Sequence, residues 1–169
     1  NKNSYLTAII ITRNEELHIE RCILSIKKHV DRIVVIDSGS TDKTREIVES
    51  LGVEFYFNKW NGYSNQINWA IDKVSPFSTW IIRIDADEII EETEIVIKKY
   101  LRSLSDDING INIKRNIYFN RELVRYGGIY KKKILRIFRS GFGRCDNRNM
   151  DEHIIAKPKI IDSNFVICD

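Results

Sequence analysis

The apolar run Trp80 to Ile84 stops at Asp85-Ala86-Asp87-Glu88, and that break constrains the fold more than any other stretch. Such a run reads as a strand covered on both faces, the habit of parallel sheets. In open α/β sheets, ligands sit beyond the carboxyl ends of the strands. Carboxylates crowded there repel one another unless a cation holds them. Asp-x-Asp with a small residue between suits a hard divalent ion with oxygen ligands, Mg2+ or Mn2+. Such an ion keeps waters and draws further ligands from phosphates. The competing explanation is an acidic turn capping a following helix, with Glu91, Glu92 and Glu94 in or near its first turn.

The rest of the chain supplies the frame for that strand. Tyr5 to Ile11 reads as a first strand, broken by Thr12-Arg13-Asn14-Glu15-Glu16. Leu17 to Lys28 has helical apolar spacing at Leu17, Ile19, Cys22, Ile23 and Ile26. Ile33 to Ile36 is a second strand, ending at Asp37 and the turn Ser38-Gly39-Ser40-Thr41-Asp42. Thr41 or Asp42 caps a helix from Lys43 to Leu51, and Gly52 closes it. Glu54 to Phe57 is a third strand; Tyr63 to Val74 is a helix, stopped by Pro76. This alternation predicts an α/β fold with a doubly wound, mostly parallel sheet. A further helix is expected from Glu91 to Leu104. Beyond it, Gly110 to Tyr118, Leu135 to Phe138 and Ile160 to Ile167 read as strands without helices between them. They predict a smaller mixed or antiparallel extension of the same domain, since no linker or repeat intervenes.

Charge is unevenly placed. Residues 1–113 carry 14 Lys+Arg against 18 Asp+Glu, and residues 114–169 carry 13 against 6. A basic second half facing an acidic strand end suits an anionic ligand carried with a metal. No apolar run approaches the ~20 residues that cross a bilayer. The first residues lead straight into a strand-like run and do not read as a signal peptide. Cys22, Cys145 and Cys168 form no zinc or disulfide pattern, which favours a reducing compartment. Trp60, Trp69 and Trp80 read as packing residues, although Trp60 lies in a polar turn where it could stack on a ring. His18 and His29 read as surface or internally satisfied. A nucleotidyltransferase would show a glycine-rich loop after the first strand, and residues 12–16 hold no glycine. A nucleic-acid binder would interleave basic and aromatic residues on one platform, and none is evident.

Thr12-Arg13-Asn14-Glu15, Asp37-Ser38-Gly39-Ser40-Thr41-Asp42 and Asp85-Ala86-Asp87 occur in this order and spacing. Together they resemble the family 2 glycosyltransferases of the GT-A fold. More narrowly, the chain is similar to bacterial lipopolysaccharide core glucosyltransferases, and the resemblance covers nearly all of it. It implies an inverting transfer of a sugar from a nucleotide-diphosphate sugar, a UDP-sugar first, to a hydroxyl of a cell-envelope glycan or glycolipid. It also implies Mg2+ or Mn2+ as cofactor. The alternative is a non-catalytic nucleotide-sugar binder on the same fold. One GT-A-like catalytic domain would span 1–169, with 1–88 as the nucleotide-binding half and 89–169 as the acceptor-side half. Relatives usually continue into C-terminal helices, so a catalytic domain cut short at its C-terminal end is expected. The expected place is cytoplasmic, at the inner face of the membrane, with no nucleic-acid partner.

The resemblance also assigns residues. Asp87 would ligate the metal, with Asp85 near the ribose or the metal's water shell and Ala86 as spacer. Asp37 would contact the base or ribose. Ser38 stands beside it where many relatives carry a second Asp. Thr12, Arg13, Asn14 and Glu15 belong to the base pocket. Gly62, Gln66 and Asn68 match a segment beside the nucleotide, with Ile67 where the family often has Arg. Inverting transfer needs a base opposite the leaving diphosphate. Met150-Asp151-Glu152-His153 is the acidic cluster of the second half and resembles the family's late acidic motif. Asp151 or Glu152 is the expected base, with His153 orienting a carboxylate or phosphate. Arg136 and Arg139 are the expected phosphate or acceptor clamp, and Arg115 a lesser candidate. Tyr126-Gly127-Gly128 resembles an acceptor-side loop. Lys131 to Lys133 reads as a solvated face rather than an anion contact.

Overall fold

A computed structural model describes residues 3–119, 122–123, 132–146 and 154–169. The first half alternates β1 (Ser4–Thr12), α1 (Ile19–Lys27), β2 (Arg32–Asp37), α2 (Thr44–Ser50), β3 (Glu54–Phe57), α3 (Tyr63–Val74) and β4 (Ser78–Asp85). A short strand β5 (Ile89–Ile90) and helix α4 (Ile97–Arg102) follow. The remainder comprises β6 (Gly110–Asn116), β7 (Tyr118–Phe119), β8 (Glu122–Leu123), β9 (Lys132–Arg139), β10 (Gly143–Cys145), β11 (Ile154–Ala156) and β12 (Ile160–Cys168).

Eight strands form one sheet in the order β3-β2-β1-β4-β9-β6-β12-β5. The four strands of the first half are parallel to one another. β9 then runs antiparallel to both β4 and β6, and β12 lies parallel to β6. The expected α/β sheet with a mixed extension is therefore what forms. β10 pairs with β11, and β7 with β8, as separate two-stranded ribbons.

Apolar residues of both parities explain why the sheet is covered twice. Leu6, Ala8 and Ile10 of β1 join Ile19, Cys22, Ile23 and Ile26 of α1, Val48 of α2, and Ile97 and Leu101 of α4. Ile9 and Ile11 of the same strand face the other way, onto Ile67, Ala70, Ile71 and Val74 of α3. Burial of these side chains stabilises each layer by about 1.5–3 kcal/mol per large aliphatic residue.

Two expected helices are shorter than their sequence pattern. Leu17 does not belong to the buried stripe of α1; it is 83% exposed, and the helix starts at Ile19. The helix expected from Glu91 covers only Ile97–Arg102. Ile89 and Ile90 instead pair antiparallel with Cys168 and Ile167, and Glu91 N donates to Val166 O at 2.9 Å. A neighbouring strand edge outcompetes local helix formation there, and β-branched residues suit it. Glu91, Glu92 and Glu94 therefore cap no helix, which removes the competing explanation of the acidic stretch.

Candidate active site

The carboxyl ends of β1, β2 and β4 lie side by side, because Thr12 is in register with Asp37 and Ile11 with Asp85. Three acidic or polar loops leave the sheet along this edge. The first two are zipped together. Asn14 N donates to Ser40 Oγ at 2.8 Å, and Thr41 N to Asn14 Oδ1 at 2.8 Å. Glu15 N donates to Thr44 Oγ1 at 2.8 Å, and Glu16 N to Asp42 Oδ2 at 3.1 Å. Lys43 N returns a bond to Glu16 Oε2 at 2.9 Å. Asn14 makes this possible by taking a left-handed conformation, φ 55°, which Asn tolerates better than most residues. The buried Asp37 carboxylate accepts from Gly39 N and Ser40 N, both at 2.8 Å, and from Ser40 Oγ. It organises its own turn. Thr12 is also buried, and its Oγ1 has no partner among the described residues. Arg13 is exposed beside them, and Ser38 N reaches Thr12 O at 3.1 Å.

The third loop holds the acidic stretch. Asp85 to Glu88 is a turn closed by Glu88 N donating to Asp85 O at 3.0 Å. Asp85 is gripped by Arg83 at 2.8 Å and by Arg136 at 3.3 Å. Arg136 also meets Glu88 at 2.7 Å, and Arg115 stands 3.6 Å from the same Glu88 oxygen. Arg115 pairs in turn with Asp169 at 2.8 Å. Burial works to raise the Asp85 carboxyl, but the charges of Arg136 and Arg83 overcome it and hold it below the usual carboxylate range. Glu88 goes the other way: burial, with the Asp85 charge beside it, raises its carboxyl despite Arg136. Ala86 packs into the core. Asp87 is exposed, and no described side chain pairs with its carboxylate; only its main-chain oxygen is held, by Arg21 Nη2 at 2.8 Å.

The two arginines expected to clamp a phosphate part company. Arg136 is at this edge but only 4% exposed, and its Nη1 is shut off from solvent too. Its Nη2 donates to Asp85 and Glu88, and its Nη1 has no partner among the described residues. Arg139 does not belong to the site. It pairs in register with Trp80, near the start of β4, where its guanidinium lies 4.5 Å from the Trp80 ring centroid and donates to Ile108 O at 2.7 Å. Five residues of strand, about 16 Å, separate that position from Asp85. Lys133 is engaged with Asp162.

Helix α3 meets the edge with its first turns. Gly62 precedes it with φ 88°, a conformation glycine adopts without strain. Gln66 is buried, and both ends of its amide bind Asn58: Oε1 accepts from Asn58 Nδ2 at 2.7 Å, and Nε2 donates to Asn58 O at 3.2 Å. Asn68 does the same to β10, accepting from Cys145 N at 2.9 Å and donating to Cys145 O at 3.1 Å. Ser64 Oγ donates to Asp146 O at 2.7 Å. The described chain on either side of residues 147–153 thus starts from α3 and returns at Ile154, which pairs with Cys145. Met150, Asp151, Glu152 and His153 lie outside the described residues, as do Tyr126, Gly127, Gly128 and Lys131.

Sequence reasoning did not assign Glu88, Arg83 or Ser64 to the site. A signal for Arg83 existed: a charge inside a doubly covered strand must have a buried partner, and Asp85 is the next residue on its face. Among the described residues, no three His, Cys, Asp or Glu side chains form a ready metal cage. One free carboxylate suits a hard cation only if phosphate oxygens and water complete its shell, as Mg2+ prefers. No helix among the described residues is long and apolar enough to cross a membrane.

Residues 7–154 match the family model described as Glycosyl transferase family 2. The chain is 32% identical over 165 residues to the lipopolysaccharide core biosynthesis glycosyltransferase LpsC of Rhizobium meliloti, covering 92% of this chain and 58% of LpsC. It therefore spans less than two thirds of that relative's length. Its structure is similar to TarS 1-349 of S. aureus in complex with UDP-GlcNAc, with TM-score 0.56 and 21% identity over 70% of this chain and 36% of that one. It is also similar to the mannosyltransferase PcManGT from Pyrobaculum calidifontis in complex with GDP-Man and Mn2+, with TM-score 0.52 and 19% identity over 67% and 36%. With the GT-A sheet and its acidic strand ends, the match over residues 7–154 makes this chain a member of glycosyl transferase family 2.

Proposed function

We propose that this chain carries the catalytic part of an inverting glycosyltransferase. It moves a sugar from a nucleoside diphosphate sugar, a UDP-sugar first, to a hydroxyl of a cell-envelope glycan or glycolipid, at the cytoplasmic face of the membrane. The observation that carries this reading is the Asp87 carboxylate just beyond β4, which no described side chain pairs, beside an Asp85 held by two arginines.

Asp87 would hold Mg2+ or Mn2+ together with the donor's diphosphate. When bound, that ion supplies Lewis-acid stabilisation of the departing diphosphate. The chain's own residues do the rest. The zipped loops at 13–16 and 38–44 form the wall against which the base and ribose lie. The unpartnered Thr12 Oγ1 is one group a ligand could satisfy. Asp151 or Glu152 accepts the proton of the acceptor hydroxyl as its oxygen attacks the anomeric carbon. Attack from the side opposite the diphosphate inverts that centre. The tether of Cys145 and Asp146 to the first turns of α3 supports this placement, since α3 begins at the carboxyl edge of the sheet.

Release of UDP from UDP-glucose, with water as the acceptor, tests the assignment. With Mn2+ present, Asp151→Asn or Glu152→Gln lowers turnover at least about a hundredfold while UDP-glucose binding persists, as loss of a general base requires. Wild-type turnover in both variants would remove both residues from the reaction.

A further inference from the structure

The carboxylates of the acidic stretch are not equivalent, and the difference has a cause outside the stretch. Three arginines and three acids interlock across three strands and their flanks: Arg83 of β4, Arg136 of β9 and Arg115 of β6, with Asp85, Glu88 of the turn and Asp169 just after β12. Asp87 lies outside this network: no described side chain pairs with its carboxylate, and its main-chain oxygen accepts from Arg21 Nη2 at 2.8 Å. Glu88 is 0% exposed and uses both oxygens. Oε1 accepts from Arg136 Nη2 at 2.7 Å, and Oε2 accepts from Asp85 N at 3.0 Å. The Asp85–Glu88 turn is thus fastened from inside by a carboxylate that is itself fastened to β9.

We infer that Glu88 and Arg136 are positioning residues for the metal-binding carboxylate, that Asp85 belongs to their network and is not a ligand, and that Asp87 is the only carboxylate of this stretch offered to the ion. This rests on the reading of the chain as a donor-binding transferase. Arg136 acts through Glu88 and Asp85 and touches no phosphate. A single protein carboxylate holds a divalent ion weakly, so the ion and the nucleoside diphosphate enter the site as a unit. Groups that orient a metal ligand change metal affinity by about 10–100-fold when removed.

The test is Mn2+ binding followed by electron paramagnetic resonance, with and without UDP, which needs no turnover. Wild-type protein binds Mn2+ with UDP at least about tenfold more tightly than Mn2+ alone, as a one-carboxylate site requires. Glu88→Met/Arg136→Met removes both buried charges together, so the fold is kept while the turn loses its inner acceptor. Its Mn2+ affinity in the presence of UDP falls by at least about tenfold. Glu88→Gln can offer its one oxygen to Asp85 N only by turning its NH2 against Arg136 Nη2, donor facing donor, so its affinity also falls by about tenfold. Wild-type affinity in the double variant or in Glu88→Gln overturns the positioning role. Should the double variant not fold, Glu88→Gln, which keeps the size and shape of the side chain, is read alone with the same expected loss. Wild-type protein that binds no Mn2+ with UDP overturns the donor-site reading itself, and that outcome is distinct from unaffected variants.

Discussion

The Arg136 guanidinium meets the Glu88 carboxylate at 2.7 Å with both side chains almost wholly out of solvent. Burying a charge pair costs solvation, and removing one partner is worse than removing both. This pair joins β9, from the second half of the chain, to the turn that ends β4.

The neighbouring aspartates should separate by their effects on stability. Asp85→Ala removes one of the two acids that hold the buried Arg136, together with the Arg83–Asp85 pair, and costs about 2–4 kcal/mol. Asp87→Ala leaves the unfolding midpoint unchanged, because no described side chain pairs with that carboxylate. Urea unfolding of the two variants checks this; equal losses would contradict it.

Asn68 should matter more than an ordinary half-buried amide. It makes two bonds to the backbone of Cys145, a strand-like clamp supplied by a side chain. Asn68→Ala loses about 1–3 kcal/mol, and Asn68→Asp, which keeps the acceptor alone, loses less. Amide exchange at Cys145 rises in Asn68→Ala and less in Asn68→Asp, which keeps the acceptor of that N–H; an unchanged rate in Asn68→Ala would show that the clamp carries no energy.

Stability should fall with pH in a window set by His29. Its ring is buried, and Nδ1 accepts from Ile97 N at 3.2 Å, so the neutral form is the one that fits. Burial, helped by the Lys28 charge, lowers its pKa from 6.5 to about 4. The unfolded chain takes a proton as pH falls through 6.5, and the folded chain only near 4. The contribution of this group is therefore full above pH 6.5 and is lost progressively towards pH 4. His29→Asn keeps an acceptor but cannot titrate, so its stability curve is flatter across that window. Parallel curves for variant and wild type would contradict the assignment.

Gly143 should not tolerate a side chain. A Cβ there would sit 2.5 Å from Phe138 Cγ, inside the core under β9. Gly143→Ala costs about 1–3 kcal/mol through overpacking. A thermal midpoint equal to wild type would show that Phe138 moves aside freely.

The parallel half of the sheet was legible because each of its strands announces itself locally. Tyr5 to Ile11, Ile33 to Ile36 and Trp80 to Ile84 are apolar on both parities, and a turn or helix separates each from the next. The second half hides its order because its pairings are distant in sequence. Nothing local says that β9 inserts between β4 and β6, and that insertion decides what Arg136 and Arg139 do. They are three residues apart, yet one meets the acidic turn and the other lies over Trp80 at the far end of β4. An expectation that carboxylates at this strand end serve a cation could be read from the Asp-x-Asp spacing. The commitment of Asp85 could not, because Arg136 reaches it only through tertiary pairing. Ile89 and Ile90 are too short a strand to register against the acidic run that follows them.

The central claim is that Asp87 offers its carboxylate to a cation carried by the donor's diphosphate. Calorimetric titration of UDP-glucose into the protein, with and without Mn2+, tests it most directly. The account predicts saturable binding by wild type only when Mn2+ is present, and none by Asp87→Asn at the same concentrations. Binding of equal strength with and without Mn2+, or in wild type and Asp87→Asn alike, would contradict it.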